Sequence, residues 1–378
     1  MNIAIVCYPT FGGSGVVATE LGLALSKKGH NIHFITYNLP VRLEALRDPN
    51  INFHEVNVPD YPLFKYQPYE LALSSRLVDV VKSNQIDVLH VHYAIPHAYA
   101  AYMAKKMLID MGIQIPIVTT LHGTDITLVG SHPFYRPAVT FSINHSDRVT
   151  AVSESLKEDT LRLFEIRKNI QVIPNFIDID KIKSKGKPCE RSLLASKEEK
   201  ILSHISNFRP LKRIFDVIAI FEGVLPKVKS KLMMVGEGPE KQKAVQYVKE
   251  KGLEGRVLFL GNSNEIEKIL CYSDLFLLPS EKESFGLSAL EAMAHGVPVI
   301  SSNTGGISEV NIHGKTGYLS QIGDIQDMTK NALKLLKDDK LHSTFKNQAQ
   351  TQARIFNIDK VVGKYESIYV NVVESIQY

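Results

Sequence analysis

Short apolar runs alternate with helical stretches along most of this chain, and the alternation stops once and restarts. In the first half Ile3–Cys7 leads through a glycine-rich loop into the helical pattern Val16–Lys28. Then come the strand-like Ile32–Thr36, a helical Leu71–Ser83, the strand Val88–Val91, a helix near Ala98–Met111 and the strand Ile117–Leu121. Such a sequence predicts right-handed βαβ units and a parallel sheet covered on both faces. A further strand, Gln171–Ile173, ends at Pro174-Asn175-Phe176-Ile177-Asp178, and a polar, lysine-rich stretch, Lys181–Lys200, follows. The pattern then resumes with strands at Ile201–Ile205, Lys231–Val235, Val257–Leu260, Leu275–Leu278 and Val297–Ser301. Helices are expected at Arg213–Val224, Lys241–Lys251 and Ser288–Ala294. The expectation is an α/β chain with two Rossmann-like domains, 1–175 and 176–359, hinged near Asn175–Ile177. A helix over 360–378 lies beyond the second sheet and is a candidate to cross back to the first domain.

Composition narrows the function classes. A formal net charge of +4 over 378 residues is too small to argue for nucleic acid, although a local basic patch for small anions fits within it. The three cysteines are widely spaced and form no CxxC, so neither a disulfide framework nor a zinc site is indicated, and a reduced, cytoplasmic setting is expected. Met1 runs directly into the first strand without a leader pattern. No stretch approaches the roughly 20 apolar residues that span a bilayer, so no stable membrane anchor is expected.

Four loops at expected strand ends carry the chemistry. Gly12-Gly13-Ser14-Gly15 opens a helix, where backbone N–H groups and the helix dipole favour an anion. As a dinucleotide fingerprint it is weak, because Thr36-Tyr37-Asn38 replaces the expected acid after the second strand. A tight turn with close packing is the plain alternative. Asn207-Phe208-Arg209-Pro210-Leu211-Lys212-Arg213 sets three cations within five residues, suited to phosphate or to a solvated turn. Gly236-Glu237-Gly238-Pro239 reads as a turn at the same edge. In Glu283-Ser284-Phe285-Gly286-Leu287-Ser288-Ala289-Leu290-Glu291 two carboxylates frame a helix start. Either acid alone would be a helix cap; both around a glycine loop suit a sugar nucleotide, with hydroxyls for the acids and a diphosphate for the amides.

Together with Leu121-His122-Gly123-Thr124-Asp125, Pro174–Asp178 and Thr304-Gly305-Gly306, these loops resemble family-four glycosyltransferases of GT-B fold over nearly the whole chain. The resemblance implies two Rossmann-like domains facing a cleft, the first for the acceptor and the second for the nucleotide sugar. It places Glu291 on the ribose, Glu283 on the donor hexose, the Phe285-Gly286-Leu287 amides on the diphosphate and Lys212 on phosphate. The chain departs from the family's Gly-Arg-Leu with Ser206-Asn207-Phe208, so Arg209 stands in for the expected arginine. Cys7–Gly15, His90–His97, Ser206–Arg209 and Ser280–Gly286 look like the subgroup that moves N-acetylglucosamine from UDP onto the hydroxyl of L-malate with retention, in bacillithiol biosynthesis.

The implied site is therefore His122, Glu283, Lys212 and Arg209 as catalytic groups, and Asn207, Gly13, Phe285, Gly286, Leu287 and Glu291 as donor-binding groups. Ser14, Tyr93 and Thr120 are the acceptor contacts, with Arg42 and Lys65 as weaker candidates. No metal and no cofactor are expected: Asp178-Ile179-Asp180 reads as a helix cap, and His90, His92 and His97 as packed or hydrogen-bonded histidines. The partners implied are a UDP-sugar and L-malate, with a homo-oligomer open. A same-fold epimerase or hydrolase, a non-catalytic nucleotide-sugar sensor, and a transferase with a lipid or sugar acceptor are the other readings.

Overall fold

The computed structural model describes residues 1–378 apart from 11, 41–42, 44–47, 61, 185–190, 192–194, 197, 264 and 378. Phe11, Arg42 and Cys189 thus lie outside the described residues. Two compact units divide the chain, Met1–Asn175 with Ile358–Tyr378, and Phe176–Asn357.

The first unit runs β1 (Asn2–Val6), α1 (Ser14–Lys27), β2 (Asn31–Thr36), β3 (Ile51–Glu55), α2 (Tyr69–Asn84), β4 (Val88–His92), α3 (Tyr99–Asp110), β5 (Ile117–Leu121), α4 (Arg136–His145), β6 (Arg148–Ala151), α5 (Glu154–Leu163) and β7 (Ile170–Val172). Its sheet has the order β3-β2-β1-β4-β5-β6-β7, and every pairing is parallel. The central strands are rich in apolar residues because both faces are covered; Ile3, Ile5, Val88, Val91 and Val118 are wholly buried.

The second unit holds α6 (Ile179–Ser184), β8 (Lys200–Ile205), α7 (Ile214–Val224), β9 (Ser230–Val235), α8 (Lys241–Glu250), β10 (Val257–Gly261), α9 (Ile266–Tyr272), β11 (Leu275–Leu278), α10 (Leu287–Ala294), β12 (Val299–Ser302), α11 (Ile307–Val310), β13 (Gly317–Ser320), α12 (Ile325–Lys337) and α13 (Asp339–Ala353). Its parallel sheet is ordered β10-β9-β8-β11-β12-β13. The chain enters this unit beside the place where it leaves, with Ile177 bridged to Asn357. Asp178 caps α6, its Oδ1 accepting the Lys181 N–H at 2.9 Å.

The last helix, α14 (Ile358–Gln377), belongs to the first unit. Val361, Val362, Tyr365, Ile368, Tyr369 and Val372 recur at helical spacing and are at most 5% exposed. Each such side chain contributes about 1.5–3 kcal/mol by leaving water. The Tyr369 hydroxyl meets His90 Nδ1 at 2.7 Å, and Lys28 and His30 bind Glu366. Among the described residues no helix is long and apolar enough to cross a membrane. Cys7 is buried and free. Cys271 is disulfide-bonded, which departs from the reading of three reduced thiols; widely spaced cysteines show no motif by which sequence could signal a pairing.

Candidate active site

In each sheet the strand order reverses once, between β1 and β4 in the first unit and between β8 and β11 in the second. Loops leaving the C-terminal ends of such neighbouring strands diverge and open a crevice, where ligands of open α/β sheets bind.

In the first unit the crevice is bridged by Ser14 and Tyr93, whose hydroxyls lie 2.6 Å apart. Ser14 begins α1 after β1, and Tyr93 follows β4 directly. Gly13 precedes the helix with φ 61°, and a Cβ added there or at Gly12 would meet nothing within 4 Å. Gly15 differs: its Cβ would stand 2.4 Å from the Tyr8 carbonyl oxygen. One glycine of the loop thus serves close packing, whereas the others leave the helix start open. No side-chain cap and no acidic residue occupy the first turn of α1, so its amides and partial positive charge are left available to an anion. Tyr93 takes φ 84° and ψ 137°, a region nearly reserved for glycine; strain of about 1–3 kcal/mol held at a loop is a mark of a working site.

The loop after β5 is fixed by Asp125, 2% exposed. Its carboxylate accepts N–H groups from Ala94 at 2.8 Å, Gly123 at 2.9 Å and His122 at 3.2 Å, joining the β4 and β5 loops. Burial raises its pKa to about 6 against the pull of those amides. Sequence reasoning quoted Asp125 within its motif but gave it no role. The available signal was an acid two residues past a strand-end glycine. His122 is half-buried; its Nε2 lies 2.8 Å from His92 Nδ1, and its ring lies 5.1 Å from that of Tyr93. The structure thus gathers Ser14, Tyr93 and His122 at one edge.

Thr120 does not join them. Its hydroxyl lies 2.8 Å from His90 Nε2 and 2.7 Å from Thr150 Oγ1, and the residue is wholly buried in the part of the unit where Tyr365 and Tyr369 of α14 pack. This corrects its expected place among the acceptor contacts: Thr120 lies within β5 on the face that α14 covers, whereas His122, on the same side by alternation, lies beyond the strand's end. Lys65 is exposed and lies over the Tyr66 ring. Among the described residues no group of three or more histidines, cysteines or acids could hold a metal.

Burial lowers His90 to about 3, His92 well below its ordinary value, His97 to about 4 and His122 to about 3. All four fall below the usual 6.5, so the folded protein refuses protons that the unfolded chain takes up. Their stabilisation is complete above pH 6.5 and is lost as pH falls toward 3–4, with a slope of up to about 1.4 kcal/mol per pH unit for each. Asp125, raised from 3.8, opposes them with a single group at the acid end of that window. The expected result is a Tm constant from pH 8 to 7 and falling steeply below 6.5; scanning calorimetry that finds the same Tm at pH 7.5 and 5.0 contradicts this account.

In the second unit the crevice holds Lys212, from the loop after β8, and Glu283, from the loop after β11. Lys212 Nζ donates to Glu283 Oε1 at 2.5 Å, and Ser280 Oγ donates to the same oxygen at 2.9 Å. The two side chains are 18% and 10% exposed. Both bonds fall on Oε1, which leaves Oε2 for a ligand hydroxyl. The backbone of Glu283 is clamped as well. Its carbonyl accepts the Gly306 N–H at 2.9 Å, and Thr304 Oγ1 donates to Glu281 O at 3.0 Å.

Gly286 begins α10 with φ 91° and no side-chain cap. Its amide and those of Phe285 and Leu287 lie at the loop's end, but the Phe285 ring is 2% exposed and packs edge-on against Phe356 at 5.4 Å. Only its backbone can serve a ligand. Glu291 lies one turn into α10, half-buried. Phe208 is wholly buried with φ 38°, which turns its neighbours Asn207 and Arg209 out to solvent. The Arg209 guanidinium forms no ion pair among the described residues. His204 explains the serine in this loop: its Nδ1–H donates to Leu277 O at 2.8 Å, so its Nε2 accepts the Ser206 hydroxyl at 2.7 Å. Ser206 Oγ then accepts the Phe208 N–H at 3.3 Å. Gly236 and Gly238 let the next loop pack against this one; a Cβ at either would stand 1.8 or 2.0 Å from the Ser206 or Asn207 carbonyl oxygen.

Two units each built on a parallel sheet, a helix start without a side-chain cap at each crevice and a lysine–carboxylate pair at the second are the features of a nucleotide-sugar glycosyltransferase of GT-B fold. The family described as Glycosyltransferase Family 4 matches residues 11–181, and that described as Glycosyl transferases group 1 matches 189–352. The chain is 49% identical over 375 residues to the N-acetyl-alpha-D-glucosaminyl L-malate synthase of Bacillus anthracis, covering 98% of this chain and 97% of that one, and it belongs to the same glycosyltransferase family. The Anabaena protein HepE, solved with UDP and glucose, shares the fold at a TM-score of 0.81 and 20% identity, with 97% of this chain and 99% of that one covered. Sucrose-phosphate synthase of Thermosynechococcus elongatus does so at 0.81 and 18%, with coverage of 99% and 100%.

Proposed function

We propose that this enzyme transfers N-acetylglucosamine from UDP-N-acetylglucosamine to the hydroxyl of L-malate, with retention, as the first step of bacillithiol biosynthesis in the cytoplasm. The observation that carries the reading is the 49% identity to a protein of that name over nearly the full length of both chains. The open start of α1 beside the Ser14–Tyr93 pair supports an acidic acceptor, since amides and hydroxyls there are suited to a carboxylate.

The reaction proposed is a front-face displacement. The bond from the anomeric carbon to the UDP oxygen breaks as the malate oxygen bonds to the same face, and the malate hydroxyl proton passes to the departing phosphate oxygen. Lys212, Arg209 and the amides at the start of α10 stabilise the negative charge that develops on UDP. In the second unit Glu283 holds the hexose and Glu291 the ribose, and His122 is the group of the first unit assigned to orienting the sugar. These cations and dipoles take the place of a divalent ion, so neither metal nor cofactor is required.

The deciding assay is release of UDP from UDP-N-acetylglucosamine with and without L-malate, in excess chelator. Release should depend on malate, persist in EDTA and yield an α-glycoside by proton NMR. UDP release indifferent to malate removes the acceptor assignment, sugar epimerised without acceptor favours a same-fold epimerase, and restoration by manganese after EDTA overturns the metal-free mechanism.

A further inference from the structure

We infer that His92 is a positioning residue that holds the neutral His122 ring in the tautomer carrying its hydrogen on Nδ1, so that His122 offers the site a hydrogen-bond donor. The inference deepens the role proposed for His122 and rests on that role only for its effect on rate.

The argument is a count of protons. His92 Nδ1 and His122 Nε2 are 2.8 Å apart and share one hydrogen. The other nitrogen of His92, Nε2, is buried and has no hydrogen-bond partner among the described residues. If His122 donates from Nε2, then His92 must carry its own hydrogen on Nε2, as an orphaned N–H sealed from water. If His92 donates from Nδ1, its Nε2 is a bare lone pair. Buried unpaired N–H groups are rarer in folded proteins than under-satisfied acceptors. The second arrangement wins, and it places the His122 hydrogen on Nδ1, in a residue that is only half-buried.

The surroundings hold His92 in that state. It is wholly buried, its ring lies 4.5 Å from His90 and 5.0 Å from His122, and its carbonyl accepts the His97 Nδ1–H at 2.5 Å. His90 is held in turn by Thr120 and by Tyr369 of α14. Burial and the nearby imidazoles keep His92 and His122 uncharged, so the choice lies between two neutral tautomers. The Asp125 bond to the His122 N–H fixes the backbone beneath the ring.

The test is nitrogen-15 NMR of histidine-labelled protein. The chain has 13 histidines, and His122 is assigned by the signals lost in His122→Gln. The wild type should show a protonated Nδ1 and a bare Nε2 at His122. His92→Phe keeps ring and volume but removes the donor; His122 should then populate both tautomers, and kcat should fall about tenfold, the worth of one hydrogen bond, with the KM for malate unchanged. His92→Asn, whose amide N–H can stand in for Nδ1–H, should restore the tautomer and most of kcat. A wild-type His122 protonated on Nε2 overturns the inference even if both His92 variants fail to fold, as does a His92→Phe protein with the tautomer unmoved. If the tautomer behaves as stated while UDP release ignores malate, the acceptor assignment fails and the inference stands.

Discussion

Lys212→Met should lower kcat by about 10²- to 10³-fold, the usual consequence of removing a preorganised group that meets charge as it develops. The lysine is 18% exposed and its ammonium is committed to Glu283 at 2.5 Å, so it is already fixed in place and partly dry before phosphate arrives. Its removal does two things. On the proposed mechanism the leaving diphosphate loses a cation, and the Glu283 carboxylate, 10% exposed, is left with Ser280 alone. An uncompensated carboxylate beside a diphosphate also weakens binding, so the KM for the UDP-sugar should rise with the loss of kcat. Adding Glu283→Gln to Lys212→Met should cost much less than the same change in the wild type, because contacting residues are not additive. A kcat within about threefold of wild type, or strictly additive effects, would remove Lys212 from the chemistry.

Gly305→Ala should disable the enzyme without touching a charged group. A Cβ at this position would stand 2.1 Å from the carbonyl oxygen of Glu283, and the residue has φ 55°. The clash is with backbone, which cannot swing aside as a side chain can. The strand-end loop must move, and the Gly306 N–H bond to Glu283 O must stretch or break. Displacing a reacting group by about 1 Å costs on the order of 10²-fold in rate, and kcat should fall by about that factor. Gly252→Ala is the control. It has φ 63° but open space around its Cβ, so it should cost about 1 kcal/mol of stability and leave kcat alone. Equal kcat for the two variants would show that the Glu283 backbone needs no such clamp.

Most strands of the two sheets were legible because double-sided burial makes them short and continuously apolar, as in Ile3–Val6 and Leu275–Leu278. β3, β6 and β13 were not read: β3 is an edge strand in which Asn52 and His54 alternate with Ile51 and Phe53 and no residue is fully buried, and β6 and β13 are four-residue strands with polar residues among the apolar ones. The second crevice was read as a set of loops, but the Lys212–Glu283 bond joins residues 71 apart in sequence and follows only from β8 and β11 being neighbours. The Ser14–Tyr93 bond likewise needs β1 beside β4. Thr120 shows the opposite limit. A strand end can be located from sequence, but which alternate residues face a ligand depends on what covers the sheet, and here α14 does. The tautomer relay behind His122 has no sequence signature at all, since histidines on adjacent strands carry no information on which ring nitrogen meets which.

The placement of α14 also sets an order of events during synthesis. Chains emerge from the amino end and domains generally fold as they become complete. Once residue 357 is out, the second unit has all its parts, whereas the first unit, begun earlier, still lacks the helix whose tyrosines and valines close its core. The amino-terminal half of this enzyme is therefore the last to be finished. Until the final helix arrives, His90, Thr120 and the apolar surface that α14 covers stand open, so a nascent chain stalled near its end carries a mature second unit tethered to an unsealed first one.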